Sequence, residues 1–181
     1  YAPDNARDYG GLGKDPSDVE FRDGLLITKR GGPAVIAHTW WGLAYDPRQK
    51  AMLFMNTWVT NRPKAVELLG GDPAELYGGP PLWSFDPQAR TWKAIKTEPP
   101  FPRAPFGGLL EFVPELDGTI WHANNWQMQA TWRYDARKNN WEQIAANEKE
   151  NDFRTQAPEP EQVGYYDPDR KKIYVQRHYD T

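Results

Sequence analysis

Glu111 is the residue of this chain whose type and setting most suggest acid-base chemistry. It stands in a predicted strand beside Phe112, at a place where the repeats described below put Ala44 next to Tyr45 and Tyr165 next to Tyr166. A carboxyl group held among apolar neighbours has a raised pKa and can give or take a proton near neutrality. A salt bridge to Arg103, or an outward-facing strand position, gives the same residue a purely structural role. Four aspartates, Asp46, Asp86, Asp135 and Asp167, recur with the repeat. Their recurrence argues for side-chain to backbone bonds in turns, because a catalytic group is needed only once per site. The three histidines, His38, His122 and His178, fall in no short ligand spacing, so local sequence offers no metal site. With no cysteine at all, disulfides, thiolate nucleophiles and iron-sulfur ligation are excluded. No cofactor is expected.

The elements that must position these groups are legible as two interleaved repeats. Leu82-Trp83-Ser84-Phe85-Asp86 leads to Trp92, and Thr131-Trp132-Arg133-Tyr134-Asp135 leads to Trp141. In both an aromatic-Asp pair begins seven residues before a Trp, and the copies lie 49 residues apart, a spacing within the range of propeller blades. The second unit is Gly42-Leu43-Ala44-Tyr45-Asp46-Pro47 running to Leu53-Phe54, and again Gly164-Tyr165-Tyr166-Asp167-Pro168 running to Ile173-Tyr174. A looser copy spans Gly108 to Trp121. There Asp117-Gly118 predicts a tight turn with positive φ at both residues. Each copy reads as strand, turn, strand, and the units alternate along the chain.

This grammar resembles the kelch repeats of β-propellers, over roughly residues 24 to 178. Phe85-Asp86 with Trp92, Tyr134-Asp135 with Trp141, and Pro102-Arg103 match that family's unit, as do Leu53-Phe54, Ile120-Trp121 and Ile173-Tyr174. The resemblance implies an all-β fold of antiparallel propeller blades, and a divergent one related to galactose-oxidase-like propellers. In register with Phe54, Trp121 and Tyr174, the family's two glycines are replaced by Thr57-Trp58, Asn124-Asn125 and Arg177-His178. These pairs are expected near equivalent strand ends, so Trp58, Asn124, Asn125, Arg177 and His178 would gather at one channel mouth, with Arg103 close by and Glu111 as a further candidate. Tryptophan and asparagine together suit a sugar, through stacking and hydrogen bonds. Loop-capping and gap-filling between blades are the alternative roles. The copper radical centre of galactose oxidase requires a cysteine that is missing here.

Composition agrees with a repetitive β-protein. Seventeen Pro and 15 Gly break up long helices, while nine Trp and nine Tyr suit pleated, half-buried faces. Residues 1 to 23 read as an irregular leader and 24 to 181 as blades. An insertion at 61–79 is expected to hold two short helical turns, one stopped by Gly70-Gly71 and one starting at Asp72-Pro73, and a long loop is expected at 145–162. About eleven strands are expected, under three blades at four strands each, so the chain reads as part of a larger propeller whose partners are remaining blades or other chains of an assembly. The net charge of −3, with signs interspersed, disfavours nucleic acid. No apolar run approaches the ~20 residues of a spanning helix. The chain opens at Tyr1 without a signal-peptide pattern, which suggests a processed protein or an excerpt; compartment stays open, with a periplasmic or secreted location favoured. Two function classes remain: a non-catalytic binding or scaffold propeller for a protein or glycan, and a carbohydrate-active isomerase, lyase or hydrolase with its site at the channel mouth.

Overall fold

The computed structural model describes residues 16–34, 41–55, 62–80, 82–102, 108–125, 128–146 and 163–176. Twelve strands in that set form four antiparallel sheets. A hairpin of β1 (Val19–Arg22) and β2 (Leu25–Thr28) comes first. Then follows a four-stranded meander of β3 (Leu43–Asp46), β4 (Ala51–Met55), β5 (Leu82–Asp86) and β6 (Thr91–Ile95). A second meander holds β7 (Leu109–Val113), β8 (Gly118–Asn125), β9 (Met128–Asp135) and β10 (Asn140–Ala146). The hairpin of β11 (Val163–Asp167) and β12 (Lys172–Gln176) comes last. The fold is all-β, with sheets built like propeller blades. The two copies of the repeat that ends in Trp92 and Trp141 are the strand pairs β5–β6 and β9–β10, so the alternation read from sequence is the order of hairpins in space.

The recurring aspartates explain why four of these hairpins turn where they do. Asp46 accepts from the backbone N–H groups of Arg48 and Gln49 at 2.9 and 3.4 Å. Asp86 does the same for Gln88 and Ala89, Asp135 for Arg137 and Lys138, and Asp167 for Asp169 and Arg170. Each turn then closes on a residue with φ between 50° and 56°: Lys50, Arg90, Asn139 and Lys171. That geometry fixes the ladder, and the ladder sets Phe85 directly opposite Trp92 and Tyr134 directly opposite Trp141, with ring centroids 4.9 and 5.2 Å apart. The seven-residue spacing is therefore a cross-strand aromatic pair closed by an aspartate-braced turn.

Strand alternation gives each sheet two packing faces. One face of the first meander (Ala44, Leu53, Met55, Leu82, Ile95) meets Leu110, Trp121, Tyr134 and Trp141 of the second to form the main core. Its other face, with Phe54 and Trp83, packs on Ile27, alongside Leu25, Trp92 and Ala94. Trp92 and Trp141 thus pack between sheets. The strands β3 and β7 lie side by side as the inner strands of successive blades, joined by a parallel bridge from Trp41 to Leu109 and a 2.8 Å bond from Leu110 N–H to the Trp41 carbonyl. Because they run parallel and each sheet is a meander, all the aspartate turns of the two sheets lie at one common end.

Two short helical elements lie between β4 and β5. Helix α1 (Arg62–Leu68) is followed by Gly70 at φ 75°, and a 3₁₀ turn at Pro73–Glu75 is capped by Asp72, which accepts from Ala74 N–H at 2.9 Å. Ala65 of α1 packs with Val19 and Ala34 on the far side of the β1–β2 hairpin.

Three expectations need correction. First, β1 and the Asp23-Gly24 turn, with φ 52° and 76°, carry regular structure back into the stretch read as leader. Second, only Asp117 takes a positive φ, 46°; Gly118 already belongs to β8, and glycine is needed there because a Cβ would meet Arg133 Cγ at 2.6 Å. Third, Val175 opposite Gly164, and not Tyr174, matches Phe54 opposite Leu43 and Trp121 opposite Leu110. The pair equivalent to Thr57-Trp58 therefore falls one residue later than Arg177-His178.

Gly108 tests the core directly. Its φ is 142° and a Cβ would sit 2.3 Å from Trp121 Cη2. Gly108→Ala is expected to cost about 1–3 kcal/mol, because it adds both backbone strain and overpacking. Chemical denaturation reads this, and an unchanged midpoint contradicts the close seating of the Trp121 ring.

Candidate functional site

The aspartate-turn end carries the best-defined polar cluster. Arg48, in the β3–β4 turn, reaches back to fully buried Asp46, with Nη2 to Oδ2 at 3.1 Å and Nε to Oδ1 at 3.3 Å. Its other terminal nitrogen donates to Asp117 Oδ1 at 2.7 Å in the second sheet, and its guanidinium lies 4.9 Å over the Phe112 ring. Arg137 also donates to Asp117. Burial pushes the Asp46 carboxyl up, but donors from Arg48 and Gln49, together with the Arg48 charge, bring it net below the usual aspartate value. A deprotonated, fully paired Asp46 holds the turn and has no free lone pair to act as a base.

A second tie joins the second sheet to the last hairpin. The Tyr166 hydroxyl donates to Glu115, and Lys171 lies 3.7 Å from the same carboxylate. That hydrogen bond pushes the Tyr166 hydroxyl up to about 12 and holds Glu115 low. Both clusters link adjacent blades at the same end, and both consist of groups locked in their charged or neutral ground state.

A cleft of about 520 Å³ opens between the two meanders, lined by Gln49, Ser84, Lys93, Tyr134 and Asn139 among others. Tyr134 donates to Asn139 Oδ1 at 2.9 Å, and Asn139 Nδ2 donates to the Lys96 carbonyl at 2.8 Å. Burial, then the nearby Asp46 and Asp135 charges, pushes the Tyr134 hydroxyl up to about 12. It is a donor here, not a base. Sequence reading missed this cleft because its walls come from strands and turns of different sheets, and nothing in the local spacing of Gln49 and Asn139 announces that they line one space.

Of the residues singled out from sequence, Glu111 is seated on the inner strand β7, opposite Ile120 and half-buried. Burial raises its pKa, and it makes no ion pair with a described residue. Asn124 and Asn125 occupy the last pairs of the β8–β9 ladder, opposite Gln129 and Met128, at the end of the sheet away from the aspartate turns. Trp58, Arg103, Arg177 and His178 lie outside the described residues, as does His38. His122 is on β8, its Nδ1 2.8 Å from Thr131 Oγ1. Among the described residues no three His, Asp or Glu side chains gather as a metal-holding group, and no helix is long and apolar enough to cross a membrane.

No family model matches the chain, and no curated protein matches it. Among solved structures, TolB from Acinetobacter baumannii is similar over 86% of this chain at 13% identity, with a TM-score of 0.41. This chain spans 32% of that one. A likeness of that size carries no argument about function, and the blade architecture stands on the ladders and inter-sheet packing described above.

Proposed function

We propose that this chain is a non-catalytic binding or scaffold module of divergent kelch-type blades, presenting the loops at one end of its sheets to a protein or glycan partner. The observation that supports this reading is the use made of the conspicuous charged groups. Asp46, Asp135 and Asp167 hold their own turns, while Arg48, Asp117, Glu115 and Tyr166 tie neighbouring sheets together. Residues that recur with the repeat are thereby occupied in folding. The candidate positions read from sequence, Trp58, Arg103, Asn124, Asn125, Arg177 and His178, are proposed to carry the ligand. A glycan array, followed by titration of hits with wild type, Trp58→Ala and Asn124→Ala, tests it. The expected result is binding by wild type and a loss of roughly tenfold or more in variants that unfold at the wild-type temperature. Turnover of the bound sugar contradicts the non-catalytic reading.

Glu111 favours a second reading, a carbohydrate-active enzyme, because a half-buried carboxyl with a raised pKa on an inner strand suits a general acid or base. Glu111→Gln separates the two. If the chain is a binding module, the variant is slightly more stable than wild type at pH 7, since a charge disfavoured by burial has been removed. If it is an enzyme, kcat falls by about 10²–10⁴ with KM little changed.

A further inference from the structure

The cleft between the two meanders holds a cation that the fold leaves unused. In the first sheet Ser84 stands directly opposite Lys93, and both line the cleft. Counted from Asp86 and Asp135, their counterparts in the second sheet are Arg133 and Glu142, which also stand opposite each other and pair at 2.9 Å. Arg133 donates besides to the Leu116 carbonyl at 2.9 Å. At corresponding places the repeat therefore has a closed ion pair in one blade and an ammonium group beside a hydroxyl in the other. Among the described residues Lys93 Nζ has no hydrogen-bond or ion-pair partner.

The neutral groups around Lys93 keep hydrogen-bonding capacity to spare. Gln49 spends one Nε2 hydrogen on Asp46 at 2.7 Å, which leaves its second hydrogen and its carbonyl oxygen. Asn139 gives one Nδ2 hydrogen to the Lys96 carbonyl and takes the Tyr134 hydroxyl on Oδ1, so it retains one hydrogen and one lone pair. The Ser84 hydroxyl makes only a long contact, 3.5 Å, with the Lys93 carbonyl. Lys96, the other cation of the lining, is already held by the Asp23 carbonyl and lies 5.9 Å over the Tyr77 ring. Among the described residues no carboxylate lines the cleft, while Ala94, Ile95 and Ala136 give it an apolar wall.

We infer that this cleft binds a small hydroxyl-bearing carboxylate, a sugar acid in chemical class, with the carboxylate on Lys93 and Ser84 and the hydroxyls on Gln49 and Asn139. One unspent cation matches one negative charge, and an ammonium to carboxylate bond is of the stronger, charge-assisted kind. A neutral sugar would leave Lys93 without an acceptor of that strength. A bare inorganic anion would leave the two amides unused in a space of about 520 Å³, a volume typical of small-molecule sites. Asn139 belongs to the β9–β10 turn, at the opposite end of β9 from the β8–β9 turn beside Asn124 and Asn125. The site is therefore separate from the loop surface proposed above and stands without it.

Calorimetric titration of the full 181-residue chain with glucuronate, gluconate, glucose and inorganic phosphate tests this. At least one of the two acids is expected to bind with a Kd of about 1 mM or tighter, and glucose at least tenfold more weakly. No binding of either acid at millimolar concentration overturns the inference. Phosphate that binds as tightly as the better acid reduces the site to a point charge and overturns the sugar-acid class. Lys93 is exposed, so Lys93→Met is expected to fold normally and to lose at least tenfold in affinity for the acid. Lys172→Met, at another exposed lysine, is expected to bind as wild type does. An acid that binds Lys93→Met as tightly as wild type overturns the assigned place. The double variant Ser84→Arg/Lys93→Glu writes the second blade's ion pair into the first, and is expected to abolish binding. Asn124→Ala is expected to leave it unchanged; a loss there moves the binding to the far loops and overturns the cleft.

Discussion

Trp121→Ala is expected to lower stability by about 3–5 kcal/mol, the range for removing a large aromatic from a close-packed core. Trp121 is fully buried and stands opposite Leu110 and Trp132 in its own sheet. It also packs in the cluster that joins the two meanders, so its loss opens a cavity at the contact holding one blade to the next. Against a typical total of 5–15 kcal/mol, that is a large fraction. Urea denaturation measures it. Trp92→Ala is the control, since Trp92 is only partly buried, in the smaller cluster beside Ile27 and Phe54, and a lesser loss is expected. Equal losses would mean that the contact between the two meanders is not the main source of stability.

Asp46→Ala ranks second, at about 2–4 kcal/mol, and the comparison with Asp86→Ala makes it specific. Both aspartates brace the same kind of turn with two backbone bonds. Asp86 is exposed, so water replaces the lost acceptor and about 0.5–1.5 kcal/mol is expected. Asp46 is fully buried and also pairs with Arg48, so its removal leaves buried donors without their acceptor and Arg48 with Asp117 alone. The pH dependence carries a sign. The Asp46 pKa is depressed on folding, so its contribution is full above the ordinary value of 3.8 and is lost as pH falls through the folded value. The gap between wild type and Asp46→Ala should therefore narrow in acid. Glu111 works in the opposite sense: its raised pKa means that acidification from neutrality first relieves a penalty, until its ordinary value of 4.5 is reached. A gap that stays constant down to pH 2 would sink the assignment of Asp46 as a charged anchor.

Much of the blade grammar is readable without coordinates because it is local. An aromatic, an aspartate and a tryptophan within one hairpin meet through a short turn, and Asp72-Pro73 and Gly70-Gly71 punctuate the insertion by their own backbone preferences. β1 is harder to read, because Val19-Glu20-Phe21-Arg22 is short and its two-residue turn differs from the aspartate-braced ones. The offset at Tyr174 arose from matching aromatic to aromatic, whereas the ladder counts from the turn and puts Val175 in register. The Arg48–Asp117 tie joins residues 69 positions apart, and such a pairing depends on how sheets stack, which no local pattern encodes. The candidate site is legible only as a set of departures from a repeat, since its residues come from several blades.

The helical insertion between β4 and β5 has a consequence for how the first meander is completed. The other connections within a sheet are short turns, whereas this one runs from Met55 to Leu82. It is between two and three doublings longer than a four-residue turn, and at about 0.6 kcal/mol per doubling its closure costs about 1.5 kcal/mol more. Part of that entropy is recovered because α1 is anchored through Ala65 on the β1–β2 hairpin, which shortens the stretch left free to wander. The long connection into β5 is thereby tied to the β1–β2 hairpin, so loss of that hairpin's packing on α1 also loosens the closure of the first meander.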